Sequence, residues 1–169
     1  MKKYLLAAAI VVLAVGTSLA GIVDISGHAG VFTAPGASAS SAMYGLAANV
    51  RLNDNWSVRG SVDTTSYTVN NNSVTYVPVR LDVIYTQTVA MFFHPYAGVG
   101  ASYNTTTVTG AGSTTSTGGQ AEAGIAFQLG GFTAGIEYCY LVPDLSHTGT
   151  GASSYNAYMT GGFTQSFGF

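Results

Sequence analysis

Beyond its third residue the chain has no lysine, and it carries little charge of any kind. Charged residues make up 7% of its 169 positions. After Lys2 and Lys3 the only strong bases are Arg51, Arg59 and Arg80. Against them stand seven acids: Asp24, Asp54, Asp63, Asp82, Glu122, Glu137 and Asp144. A water-soluble surface usually carries about 25–35% charged residues, a fraction this chain cannot supply. The three arginines are scattered, so no basic patch exists to hold nucleic acid. Cys139 is the single cysteine; it can form no internal disulfide and anchors no metal cluster, and reads as a small packed side chain. Lack of charge does not mean disorder here, because aromatic and β-branched residues are plentiful. The length suits one domain and is too short for two.

One long apolar run is present, at the start. Residues 1–20 read as a cleaved secretory signal peptide, with Lys2 and Lys3 before the unbroken apolar stretch Leu5 to Val15. That stretch is shorter than the roughly 20 residues of a spanning helix, which argues against a permanent anchor. Ser18-Leu19-Ala20 puts small residues where signal peptidase inspects them, so cleavage is expected between Ala20 and Gly21. A lipoprotein would need cysteine after the cut. The mature domain is then 21–169, with three strong bases against seven acids, a net charge of −4.

After Gly21 the chain alternates with period two, broken by clusters of Gly, Ser, Thr, Asn and Pro. Val77, Val79, Leu81, Val83 and Tyr85 oppose Tyr76, Arg80, Asp82 and Thr86. Phe132, Ala134, Ile136, Tyr138 and Tyr140 oppose Thr133, Gly135, Glu137 and Cys139. Such runs predict eight strands, starting near Ile22, Met43, Trp56, Val74, Pro95, Gly119, Phe132 and Ser154. Asn53-Asp54-Asn55 and Gly130-Gly131 read as tight turns. Residues 87–94 read as a third turn with strand on both sides. Thr106 to Gly118 and Val142 to Ser153 read as longer loops.

The charges choose between a soluble sandwich and a membrane barrel. Asp24, Arg51, Arg59, Asp63, Arg80, Asp82, Glu122 and Glu137 all fall on the polar, non-aromatic faces of their strands. Asp54 lies in a turn and Asp144 in a loop. A lipid-facing surface demands this, since an Arg at mid-bilayer costs about 2–4 kcal/mol. Trp56, Tyr85, Phe127 and Phe132 fall beside the short turns, and Tyr44, Tyr103, Tyr138, Tyr140 and Tyr155 toward the opposite ends, as two aromatic girdles would. The expected fold is all-β: an eight-stranded antiparallel up-and-down transmembrane β-barrel. Eight strands leave an interior about wide enough for side chains alone. Unpaired buried charges are expensive, so opposite charges among the eight are expected to pair and plug the lumen; with five acids against three bases, some carboxylates are expected to be wet or protonated.

Three segments resemble small outer-membrane barrels of the outer membrane protein A, W-type and opacity families. "GGFTQSFGF", with Phe163, Phe167 and Phe169 on one face, resembles the terminal aromatic signal read by the barrel assembly machinery. "HPYAGVGASY" (His94 to Tyr103) is similar to their Pro-Tyr-x-Gly-x-Gly strand. "FTAGIEYCYL" (Phe132 to Leu141) resembles their strand with an acid before paired tyrosines. One departure is Gly168, where those families usually have arginine. The resemblance implies export through the secretory pathway to a bacterial outer membrane. It also implies a monomer whose partners are membrane lipid and, during biogenesis, the assembly machinery; the loops carry no recognisable motif for an extracellular partner.

Candidate chemistry is sparse. His28 is mid-strand on the polar face and His94 precedes Pro95. His147 lies near Ser146 and Asp144 in the last loop, in a spacing that matches no known catalytic motif. Gly98 to Gly100 is no phosphate loop, because no helix follows. Acids and histidines show no metal-ligand spacing, and no cofactor is implied. The expected role is non-enzymatic, structural or surface-interacting. A narrow pore for small or apolar solutes is the alternative, and a lipid-modifying enzyme the third reading.

Overall fold

A computed structural model describes residues 23–35, 39–130, 132–147 and 151–162. Ala20 and Gly21, and Phe163, Phe167 and Phe169, lie outside the described residues. Eight strands follow one another: β1 (Val23–Thr33), β2 (Ser41–Arg51), β3 (Trp56–Val69), β4 (Asn72–Thr86), β5 (Phe93–Val108), β6 (Gly112–Leu129), β7 (Phe132–Val142) and β8 (Ala152–Gly162). Each pairs antiparallel with its sequence neighbour, and β1 pairs with β8, from Asp24 opposite Gly162 to Thr33 opposite Ser153. The closed ring leaves no edge strand.

The alternation read from sequence is the inside–outside parity of this barrel. Ile25, Leu46, Leu81, Val83, Val99, Ile136 and Met159 point outward and are exposed. In water such a surface would be a liability; against hydrocarbon it is the required exterior. Aromatic side chains ring the two ends of this band. Trp56 packs on Tyr85 (5.1 Å between centroids) and Phe93 on Phe127 (5.6 Å) at the end with the short turns. Tyr138 packs on Tyr155 (4.8 Å) toward the other.

The barrel is lopsided. Strands β1, β2, β7 and β8 have 11 residues each, about what a tilted strand needs to cross a bilayer. Strands β3 to β6 have 14, 15, 16 and 18, and the excess rises on the side away from the short turns. Here the sequence reading needs correcting. Thr106 to Gly118 is not a loop: β5 runs to Val108 and β6 starts at Gly112, seven positions before the expected Gly119. The Thr and Ser there pair across the hairpin, as in Thr105 opposite Thr115 and Thr107 opposite Ser113. Threonine is β-branched and suits a strand. Above the membrane both faces are wet, so no apolar alternation marks the segment as one. The β3–β4 hairpin closes through Asn70 and Asn71, both with positive φ (49° and 64°), as a two-residue hairpin turn requires.

Candidate functional site

The lumen gathers the chemistry. Parity turns all eight charged strand residues inward, and the inward glycines leave them room. Gly45 on β2 is one such position: a Cβ there would collide with Asp63 and His28. From the inner end, where the short turns lie, the charges form successive layers. Arg51 donates to Asp24 from Nε and Nη2, at 3.0 and 2.9 Å. Deeper in, Arg59 reaches across the lumen to Glu122 on β6 and to Glu137 on β7, the latter at 2.7 Å. The Tyr96 hydroxyl donates to Glu137 at 2.9 Å. Asp82, fully buried, accepts from the Gln120 amide and pairs with no cation among the described residues. Next, Asp63 sits between His28 and Arg80, whose Nε lies 3.0 Å from its carboxylate. Arg80 Nε donates to Ser61 Oγ at 2.9 Å, so its link to Asp63 is chiefly one of charge.

Above these layers the lumen is closed by uncharged groups. Phe32, Met43, Tyr76, Leu141 and Ala152 form a buried apolar cluster, with Phe32 stacked on Tyr76 at 5.3 Å. The Tyr76 hydroxyl donates to Asn104 (2.7 Å), whose amide in turn donates to the Pro143 carbonyl at 2.7 Å. Ser116 also donates to that carbonyl, and the Leu145 N–H to Thr117, which ties the last loop to β5 and β6. Between this cap and the Arg80–Asp63 pair is a void of about 10 Å³, the size of one water.

The inner end is different. A cavity of about 920 Å³ opens there, floored by Arg59 and lined by Asp24, Asn49, Arg51, Tyr96 and Tyr158 among others. Tyr96 lies over Gly124 of β6, and Tyr158 over Gly135 of β7. Their rings occupy the space where a Cβ at either glycine would sit.

Outside the lumen the structure joins Asp144, Ser146 and His147 in the last loop. Asp144 Oδ1 accepts from the Ser146 N–H (2.9 Å) and hydroxyl (2.6 Å), and Oδ2 lies 3.0 Å from His147 Nδ1. The same Nδ1 lies 2.9 Å from the Ser146 hydroxyl. A catalytic triad needs the two ring nitrogens apart, one toward the serine and one toward the acid. Here one nitrogen meets both, the ring is exposed, and the trio is an Asx turn. Its hydrogen bonds from Ser146 and His147 hold the Asp144 carboxyl down to about 2. Among the described residues no group of His, Cys, Asp and Glu is arranged to hold a metal.

Of the eight charges read from sequence, the structure brings Arg59, Glu122 and Glu137 into one group and Arg80 and Asp63 into another. Asp24 pairs with Arg51 alone. Sequence reasoning missed the uncharged members, Ser61, Tyr96, Asn104 and Gln120, and the partnership of His28 with Asp63. Parity with Gly98 and Gly100 would have placed Tyr96 inside.

Comparison with known proteins agrees with this architecture. Residues 5–168 match the family model "Outer membrane protein beta-barrel domain". A search of curated protein sequences finds no match. Among solved structures, Neisserial surface protein A (NspA) is similar with a TM-score of 0.69 and 19% identity over 83% of this chain and 97% of that one. Ail, the attachment invasion locus protein of Yersinia pestis, gives 0.59 and 18% over 85% and 99%. The outer membrane enzyme PagL gives 0.52 and 15% over 83% and 99%. At such identities the likeness is one of fold.

Proposed function

The chain belongs to the outer membrane protein β-barrel domain family, and on that premise we propose that it is a non-enzymatic envelope barrel with a side-chain-plugged lumen, acting through its exterior. Proteins of this family sit in the outer membrane of Gram-negative bacteria, with short turns toward the periplasm. The observation that carries the reading is the filled outer half of the lumen. Two ion-pair layers and an apolar cap stand in series there. A continuous water path would have to break both. What remains for work is the exterior: the lipid-facing band, the polar tops of β3 to β6 and the tethered last loop. The printed names of NspA and Ail, a surface protein and an attachment protein, describe proteins that work at that exterior. The partners proposed are membrane lipid, the assembly machinery acting on Phe163, Phe167 and Phe169, and an external ligand for the hairpin tops; the barrel acts as a monomer.

Planar bilayer recording of the purified protein tests the plug. Brief, rare openings or none are expected. A large, stable conductance would overturn the closed-lumen reading in favour of a pore. The third reading draws on the fold shared with PagL, an enzyme. The shared nitrogen in the Asp144–Ser146–His147 turn speaks against it. His147→Ala is expected to leave outer-membrane lipid composition unchanged; an altered lipid profile would restore the enzyme reading.

A further inference from the structure

The three turns at the inner end are not alike. The first carries Asn53, Asp54 and Asn55, and Asn53 Oδ1 accepts from the N–H groups of Asn55 and Trp56, both at 2.9 Å. The third passes through Gly130, which has a positive φ of 64°. The turn between β4 and β5 is apolar instead, and its side chains stand clear of the protein: Val89 is 62% exposed, Met91 90% and Phe92 57%. From Val83 to Ala121 the sequence has no Asp, Glu, Lys or Arg. Backbone pairing sets where these side chains go. The Gln87 N–H donates to the Pro95 carbonyl (2.9 Å) and the Val89 N–H to that of Phe93 (3.2 Å), so the strand parity runs on past the end of β4. Thr88 Oγ1 and His94 Nδ1 meet on the inner face at 3.2 Å. Val89 and Phe93 therefore share the outer face with Tyr85, and Gln87 alone interrupts it.

An apolar patch in the open marks a contact with protein or with membrane. Size and position both favour membrane. A stable protein interface takes about 20–30 residues a side, whereas this patch is the short stretch from Val89 to Phe92. Its position follows from the aromatic girdle. Phe93 packs on Phe127 in the ring at this end, and such rings sit at headgroup level. Met91 is two residues beyond Phe93, about 7 Å along an extended chain and about 5 Å along the membrane normal once strand tilt is counted. The layer between hydrocarbon and water is itself about 5–7 Å deep, so the turn ends inside it. We propose that the β4–β5 turn is a lipid anchor, seating Val89 and Met91, with Phe92 beside them, among the glycerol and upper acyl groups of the periplasmic leaflet. The turn has no cation to meet a phosphate, so the contact is apolar and takes zwitterionic and anionic phospholipids alike. Holding this rim up in the leaflet carries the extra length of β3 to β6 outward, and with it the Ser and Thr pairs of the β5–β6 hairpin. The anchor rests on the proposed partnership of the barrel with membrane lipid.

Methionine methyl NMR on the folded protein in phosphatidylcholine nanodiscs tests this without altering the turn. Beyond Met1 the methionines occupy three settings: Met43 is buried in the lumen cap, Met159 is 63% exposed on the lipid-facing band, and Met91 tips the turn. Met91→Leu identifies the Met91 peak by removing it. Two reagents are compared, a phosphatidylcholine spin-labelled just below its headgroup and a gadolinium chelate confined to water. Met91 is expected to lose more of its signal to the labelled lipid than to the chelate, as Met159 does. Met91 losing more to the chelate, while Met159 is still erased by the lipid, would overturn the anchor and leave the membrane barrel standing. Met159 untouched by the lipid would overturn both. Protection of Met91 from both reagents would mean that protein, a second copy included, covers the turn, and would overturn the lipid as occupant. Val89→Asp puts a charge beside Met91 and is expected to shift its loss from the lipid to the chelate, with heat-modifiable gel migration reporting that the barrel folds; an unshifted pattern in the folded variant would overturn the proposal. Replacing part of the lipid with phosphatidylglycerol is expected to change nothing, and lipid contact that required the anionic headgroup would overturn the apolar account.

Discussion

The two ends of the lumen are built from the same strands and closed to different degrees. Toward the outside, Phe32, Met43 and Tyr76 meet over the Arg80–Asp63 pair and leave room for about one water. Toward the periplasm, Ser26, Ser57, Ala126 and Thr160 occupy the equivalent inward positions, and a cavity remains. Barrel width is fixed by strand number, so closure depends on side-chain volume at each level. Where large residues or charges that must pair are placed inward, the lumen fills.

The sharpest way to break this contrast is at its boundary. Arg59→Leu leaves Glu122 and Glu137 buried without their cation. A loss of about 3–5 kcal/mol is expected, since removing one member of a buried ion pair strands the other. Urea unfolding from vesicles, read by gel migration, measures it; a loss below about 1 kcal/mol would show that water already reaches this layer. Phe32→Ala attacks the cap. Truncating a buried phenylalanine typically costs about 3–5 kcal/mol, and here the lower end is expected because one side of the residue faces the lumen. The same variant should raise the frequency of bilayer openings, while truncation of Thr160 at the open end should not.

Smaller effects separate the cap from the mouth. Tyr76→Phe removes one buried hydrogen bond, to Asn104, and is expected to cost about 1 kcal/mol. At the mouth the Arg51 side chain is 52% exposed. Arg51→Leu is accordingly expected to cost about 0–1 kcal/mol, the range of exposed pairs. If Arg51→Leu proved as damaging as Arg59→Leu, the inner end would be as dry as the outer and the comparison would collapse.

Much of this was readable from the chain. Period two, interrupted by turn residues, marks the strands wherever one face meets lipid, and the one-sided charges mark which face is the lumen. Both signals stop where the bilayer stops. That is why Thr106 to Gly118 read as loop although most of it is strand: with water on both faces, nothing forces alternation. Pairing was hidden for another reason. Arg59 stands directly opposite Asp82 on β4, and Arg80 opposite Ser61 on β3. Neighbour logic would pair Arg59 with Asp82. Instead Arg59 spans the lumen to β6 and β7, and Arg80 turns diagonally to Asp63. Those choices depend on the tilt and closure of the whole ring, which no single segment records. Tyr158 carried no signal beyond parity, because a phenol facing inward is equally a filler and a hydrogen-bonding group.

The smallest effect lies outside the barrel, in the loop leaning on its tall side. Hydrogen bonds from Ser146 and His147 hold the Asp144 carboxyl at about 2, below the roughly 3.9 of a free aspartate. A depressed carboxyl makes its contribution above the unfolded value and loses it as pH falls through the folded one. The turn should therefore be fully formed at pH 5 and loosen between about pH 4 and 2. The amide resonance of Ser146 reports this directly, since its N–H donates to Asp144 Oδ1. Asp144→Asn keeps an oxygen there for Ser146 to bond but has no proton to gain. Its Ser146 resonance should stay still across the same range, and movement as large as in the parent would mean that the pH response belongs to another group.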